Sequence, residues 1–185
     1  MKKNFGSKPW FYPLPVLIVG TYDENGKADA MNAAWGGLYG ANMVELCLSA
    51  GHKTTKNIKS QKAFTVSFAD AAHVIPCDYV GIVSANNTPD KMEKAGFTVT
   101  KSEFVDAPVI NELPMTLECK LVKVTEEGNI IGEIVNICAD ESVLDGEGKI
   151  DVSMLRPIAF EPVSNGYYVL GEKVGNAFSD GNSLK

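Results

Sequence analysis

Hydrophobic and polar positions alternate with period two through much of this chain. In residues 63–69, AFTVSFA, Phe64, Val66 and Phe68 share one face and Thr65 and Ser67 the other. In residues 114–121, PMTLECKL, Met115, Leu117, Cys119 and Leu121 alternate with Thr116, Glu118 and Lys120. Both patterns predict half-buried strands. After Leu121 the phase switches and Val122 and Val124 become the apolar pair, which predicts a β-bulge. YPLPVLIVGTYD and NIIGEIVNICA are longer β-rich runs, and MVELCLSA is a shorter one. Asn25-Gly26 predicts a hairpin after the first of these, and Gly128-Asn129 a second.

Helical signals are few. HKTTKNIKSQ offers Thr54 as an N-cap, and TPDKMEKAG offers Thr88 as N-cap, Pro89 at the first helical position and Gly96 as the stop. AAHVIPCDYVGIVS is expected to be helical in parts and broken at Pro76. There is no repeat, low-complexity tract or linker. Strands, then inserted short helices, then strands again predict a mainly β chain: a closed or partly closed antiparallel barrel, with residues 1–185 as one domain.

The chain has 185 residues, 45% hydrophobic and 22% charged, with a net charge of -6. That acidity argues against a nucleic-acid groove, which needs clustered Lys and Arg. The apolar run PLPVLIVG is broken by Pro15 and is too short to span a bilayer. It lacks a signal-peptide cleavage pattern, so a cytoplasmic location is expected. None of Cys47, Cys77, Cys119 and Cys138 sits in a C-x-x-C pair, and there are two histidines. A metal site is therefore not expected, and the cysteines read as reduced, buried thiols.

Two stretches carry candidate chemistry. In residues 28–37, ADAMNAAWGG, a strand with small side chains at Ala30, Ala33 and Ala34 would expose its backbone to a flat ligand; close packing of another strand explains the same residues equally well. In residues 51–59, GHKTTKNIK, Lys53, Lys56, Thr54 and Thr55 gather at a helix start. Free amides and the helix dipole there favour a phosphate, whereas a capped surface helix with solvated lysines is the plainer alternative.

In combination, PVLIVGTYDENGKADAMNAAWGG, SAGHKTTKNIKSQKAFTVSF, DYVGIVSANNTPDKMEKAGF, DAPVINELPMTLECKLVKV, IIGEIV and YYVLGEKVGNAFSDG resemble the flavin reductase-like family of FMN-binding split barrels, flavoredoxin type. The resemblance runs from Pro13 to Gly181. It implies a Greek-key split β-barrel with a few short helices and FMN as cofactor. It also implies that Asn32, Ala33, Ala34 and Trp35 line the isoalloxazine ring, and that Ser49, Lys53, Thr54 and Asn57 hold the phosphate and ribityl chain. Lys91 would reach the flavin or its phosphate from a neighbouring segment, and Tyr168 would cover the site. His52 stands where family members often carry arginine or lysine, and both a phosphate-binding and a surface role stay open for it. A homodimer with FMN at the subunit interface is implied, with NAD(P)H or a redox protein as electron donor. No G-x-G-x-x-G follows a strand, so a nicotinamide would stack transiently on the flavin. The cofactor carries the chemistry, and no catalytic side chain is assigned. Three functions are consistent with this: an NAD(P)H-using flavin reductase or related oxidoreductase, a one-electron carrier, and a non-catalytic FMN-binding module.

Overall fold

Most of the period-two runs become strands of a single sheet. The computed structural model describes residues 1–185. Its first strands are β1 (Leu14–Pro15), β2 (Leu17–Tyr22), β3 (Ala28–Ala33), β4 (Gly36–Gly40) and β5 (Met43–Leu46). Helix α1 (Lys53–Gln61), strand β6 (Ala63–Phe68), and helices α2 (Val74–Ile82) and α3 (Lys91–Ala95) follow. Then come β7 (Val99–Lys101), β8 (Pro108–Ile110), β9 (Met115–Val124), β10 (Ile130–Ala139), α4 (Val152–Leu155), β11 (Ile158–Glu161) and β12 (Gly166–Val169).

Seven strands form one antiparallel sheet in the order β3-β2-β6-β9-β10-β5-β4. Its two edges, β3 and β4, are consecutive in the chain and separated only by Ala34 and Trp35. Three Cα steps from Ala33 to Gly36 span on the order of 10 Å at full extension. The sheet must therefore curl until its edges approach, giving a barrel split along a seam that Ala34 and Trp35 bridge. Strands β1, β11 and β12 make a small separate sheet, and β7 and β8 a two-stranded ribbon.

One core fills the barrel, with Leu17, Val19, Leu46, Phe64, Val66 and Ile130 among its members. A second, including Ile18, Ala30, Cys77, Val80 and Ile110, lies outside the barrel wall. Strand β2 feeds both, which is why its sequence reads as a continuous apolar run. The same second layer corrects the half-buried reading of β6: Thr65 and Ser67 are fully buried. Burial without loss is possible because Thr65 Oγ1 donates to Pro108 O at 2.6 Å and the Ser67 and Thr116 hydroxyls lie 2.7 Å apart. Both predicted hairpins form, with Gly26 at φ 74° and Gly128 at φ 94°. The bulge forms too, since Ile131 pairs with Lys123 but Gly132 with Leu121, leaving Val122 unpaired. Val122 is exposed, whereas Leu121 and Val124 pack on the barrel core, so the expected Val122–Val124 apolar pair is not made.

The helix starts differ from expectation. In α1 the N-cap position is His52, with no side-chain cap, because Thr54 spends its hydroxyl elsewhere. Helix α2 runs unbroken through Pro76, which sits in its first turn, where an N–H has no intrahelical acceptor to lose. Thr88 and Pro89 lie in the turn before α3, whose N-cap position is Asp90; Gly96, at φ 71°, closes that helix as expected. Of the thiols, Cys77 and Cys119 are buried, and burial pushes each up to about 12. Cys138 is half-buried and Cys47 is exposed, contrary to the expectation of four buried thiols. No helix is long and apolar enough to cross a membrane.

Candidate functional site

The start of α1, the outer side of β3, the end of α2 and the start of α3 enclose a cleft of about 190 Å³. Hydrogen-bonded pairing within α1 begins at Lys56, whose N–H donates to His52 O. The N–H groups of Lys53, Thr54 and Thr55 make no hydrogen bond within the chain. They are the orphan donors of a helix N-terminus, and the macrodipole adds positive potential there. Lys53 lines the cleft and pairs with Asp23 at 3.2 Å.

Beneath these amides lies a buried charge cluster. Thr54 Oγ1 donates to Asp29 Oδ2 at 2.7 Å, and Lys91 Nζ stands 3.6 Å from Asp29 Oδ1. Lys91 and Asp29 are each 3% exposed. Burial pulls the Lys91 ammonium below the ordinary lysine range, and the attraction of Asp29 opposes that pull. Asp29 Oδ1 is the one buried side-chain polar atom without a hydrogen-bond partner. A buried carboxylate is tolerable here only because a hydroxyl and an ammonium face it. Its cleft-side consequence is that Thr54 and Lys91 are held in place around the free amides.

A second recess of about 230 Å³ adjoins the first and shares Asn32, Gly81 and Ile82 with it. Ala34, Asp78, Phe160 and Tyr167 complete its wall. Asn32 Nδ2 donates to Cys77 O at 3.1 Å, tying β3 to α2. A Cβ on Gly81 would fall 2.9 Å from Asn32 Cβ, so this glycine permits that close approach. Tyr167 donates its hydroxyl to Asp78 Oδ1 at 2.7 Å. Burial first, then Asp78, pushes the phenol up to about 12.

The structure separates the residues that the sequence grouped. Asn32, His52, Lys53, Thr54 and Lys91 line the first recess, and Asn32 and Ala34 the second. Ala33 points into the barrel core. Trp35 lines a different groove of about 670 Å³, together with Trp10 and Phe11 of the N-terminal segment. Ser49 is exposed and closes the turn before α1, accepting from Thr55 Oγ1 at 2.9 Å and from His52 N–H. Asn57 is buried and donates to Thr21 Oγ1 at 3.0 Å, out of the cleft. Tyr168 is 59% exposed beside Tyr12; strand alternation sends its neighbour Tyr167 to the cleft instead. Asp29, Asp78 and Tyr167 were missed. Asp29 had a signal, as the lone charge in its strand, whereas nothing local distinguishes Tyr167 from Tyr168.

The donor set suits an anion with a flat extension: free amides, two lysines and a hydroxyl at one end, and a recess floored by alanine and glycine at the other. Comparison with known proteins agrees with this chemistry. The family model described as "Flavin reductase like domain" matches residues 10–154. The flavoredoxin of Desulfovibrio vulgaris (Miyazaki F) is 39% identical, with a TM-score of 0.94 over 98% of this chain and 100% of that one. A flavoredoxin from Methanosarcina acetivorans is 30% identical, with a TM-score of 0.90 over the full length of both. Nitrilotriacetate monooxygenase component B from Bacillus cereus shares the fold, at 22% identity and a TM-score of 0.77, covering 90% of this chain and 89% of that one.

Proposed function

The chain belongs to the flavin reductase-like family, and from that premise we propose that it is an FMN-dependent oxidoreductase that passes electrons from NAD(P)H to free flavin or to a protein acceptor. The observation that carries this reading is the set of unpaired amides at the start of α1, where Lys53 and Thr54 line a cleft that Lys91 also lines. A phosphate seated there would complete the helix terminus and meet Lys53. Lys91 adds positive charge from below, held by Asp29. Asn32 and Ala34 line the adjoining recess, where the methyl of Ala34 leaves room for a flat ring. FMN, when bound, supplies the hydride- and electron-accepting chemistry. The chain's own task is to bind, orient and polarise, and no side-chain acid or base is assigned.

A homodimer with the cofactor near the subunit boundary belongs to the same proposal. The exposed apolar residues Trp10, Phe11, Trp35 and Leu38 around the large groove support it, as surface that a second copy would cover.

A second reading is favoured by the 39% identity to a flavoredoxin: a flavin protein that takes electrons from a redox partner without nicotinamide turnover. Stopped-flow mixing of the FMN-loaded protein with NADH or NADPH separates the two. Bleaching of the flavin absorbance within seconds supports the reductase. Bleaching by dithionite alone favours the carrier, and failure of the chain to retain FMN overturns both.

A further inference from the structure

We infer that Asp29 is a positioning residue for the anion end of the cleft: from β3 it fixes the buried Lys91 ammonium there, and it acts on the ligand through that lysine without touching the ligand itself. The inference rests on the flavoprotein reading of the cleft. Its own basis is an ion pair that stability does not explain. Lys91 and Asp29 are each 3% exposed. A buried ion pair is weak ground for stability, since apolar side chains of similar volume pack as well or better. One that served the fold alone would be closed by hydrogen bonds, and this pair is left open. Lys91 Nζ stands 3.6 Å from Asp29 Oδ1, beyond hydrogen-bond length, and Asp29 Oδ1 has no other partner. Thr54 occupies the other carboxylate oxygen at 2.7 Å. The ammonium, which lines the cleft, therefore keeps its N–H donors for what binds there.

Charge explains why a carboxylate stands so close to an anion site. Asp29 is the one acidic residue lining the cleft; His52 and Lys53 reach it from α1, and the α2 side is uncharged. Lys53 pairs with Asp23, and on α3 itself Asp90 pairs with Lys94 at 3.0 Å. Burial pulls the Lys91 ammonium below the ordinary lysine range, and only Asp29 opposes that pull. Without the carboxylate, Lys91 gives up its proton at lower pH, and the ligand loses a cation. Taken alone, the same carboxylate repels an anion. Its effect on binding must therefore change sign with Lys91: favourable while the ammonium is there, unfavourable once it is gone.

FMN titrations across a range of pH provide the test, with His52→Gln present throughout so that the histidine of the cleft does not titrate in the profile. Asp29→Asn is expected to bind FMN about tenfold or more weakly than wild type. As the pH rises from neutral toward the ordinary lysine value of about 10.4, its affinity should fall away at lower pH than that of wild type. In a Lys91→Met background the same substitution should strengthen FMN binding, because only repulsion is left to remove. With both charges gone, Asp29→Asn/Lys91→Met should melt near wild type, so this arm decides the matter even if Asp29→Asn alone does not fold. Unchanged affinity in Asp29→Asn, an equal loss at every pH, or a loss that persists in the Lys91→Met background overturns the assignment. The ionisation of Lys91, followed by its isotope-labelled Cε resonance in the FMN-free chain, should move to lower pH in Asp29→Asn. If wild type takes up no FMN, the flavoprotein reading falls instead, and the presence or absence of that shift still decides whether Asp29 holds the charge of Lys91.

Discussion

At the scale of single residues, Ala33 and Ala34 are adjacent and small for different reasons. Ala33 is packed in the barrel core, and Ala34 lines the recess beside α2. Ala33→Leu is expected to overpack and cost ~1–3 kcal/mol. Ala34→Leu is expected to give a colourless protein with a near-normal thermal midpoint. Flavin absorbance and melting, measured on both variants, check the assignment; the opposite pattern would reverse it. Lys53 and Thr54 also part company. Lys53→Ala should weaken FMN by about tenfold or more and leave riboflavin nearly unchanged, since only the phosphate meets the ammonium. Thr54→Ala should instead destabilise the fold by about 1–3 kcal/mol, because Asp29, already short of one partner, loses its hydroxyl donor. Paired FMN and riboflavin titrations with a melting curve distinguish the two outcomes.

At the scale of elements, the seam places the tightest demands. A Cβ on Gly36 would lie 2.8 Å from Glu45 O and 2.9 Å from Leu46 Cδ2, whereas one on Gly37 would meet nothing within 4 Å. Gly36 is where β4 presses onto β5 and onto Leu17 of β2, so a methyl there has to push backbone aside. Gly36→Ala is expected to cost ~1–3 kcal/mol by denaturant unfolding. Gly37→Ala should stay within about 0.5 kcal/mol of wild type. Equal costs would mean that the seam is not close-packed. In ADAMNAAWGG, Ala33 and Gly36 are thus small because the core and the seam pack there, and Ala34 because a recess opens beside it.

At the scale of the molecule, the curled sheet leaves both chain ends outside its core. Residues 170–185 are exposed throughout, as are residues 1–13, which include Trp10, Phe11 and Tyr12. A second copy packed on the groove between the N-terminal segment and β4 would bury this surface, and a two-fold interface is the expected form. Light scattering of the FMN-loaded protein at micromolar concentration should give twice the chain mass of 19.9 kDa. A monomer that retains FMN would refute a site shared between subunits.

The local features of this protein were legible in its amino-acid order. Period-two runs became β6 and β9, the longer β-rich runs became β2 and β10, Asn25-Gly26 and Gly128-Asn129 became hairpins, and the phase switch after Leu121 became a bulge. The motifs also disclosed the family and, in Asn32, His52, Lys53, Thr54 and Lys91, residues that line the cleft. These signals are short-range, set by backbone sterics and by neighbours along one strand. What lay beyond them depended on partners distant in sequence. Alternation in β6 could not reveal that β8 covers its polar side, so Thr65 and Ser67 read as half-exposed until Pro108 supplied an acceptor. An N-cap signal at Thr54 could not compete with Asp29, 25 positions earlier, for the same hydroxyl. The pair Tyr167-Tyr168 carries no phase of its own, and only the docking of β12 beside α2 sends Tyr167 to Asp78. Sequence determines which residues alternate; tertiary structure decides which side of the alternation meets another layer, because burial is a property of what packs there and not of the strand itself.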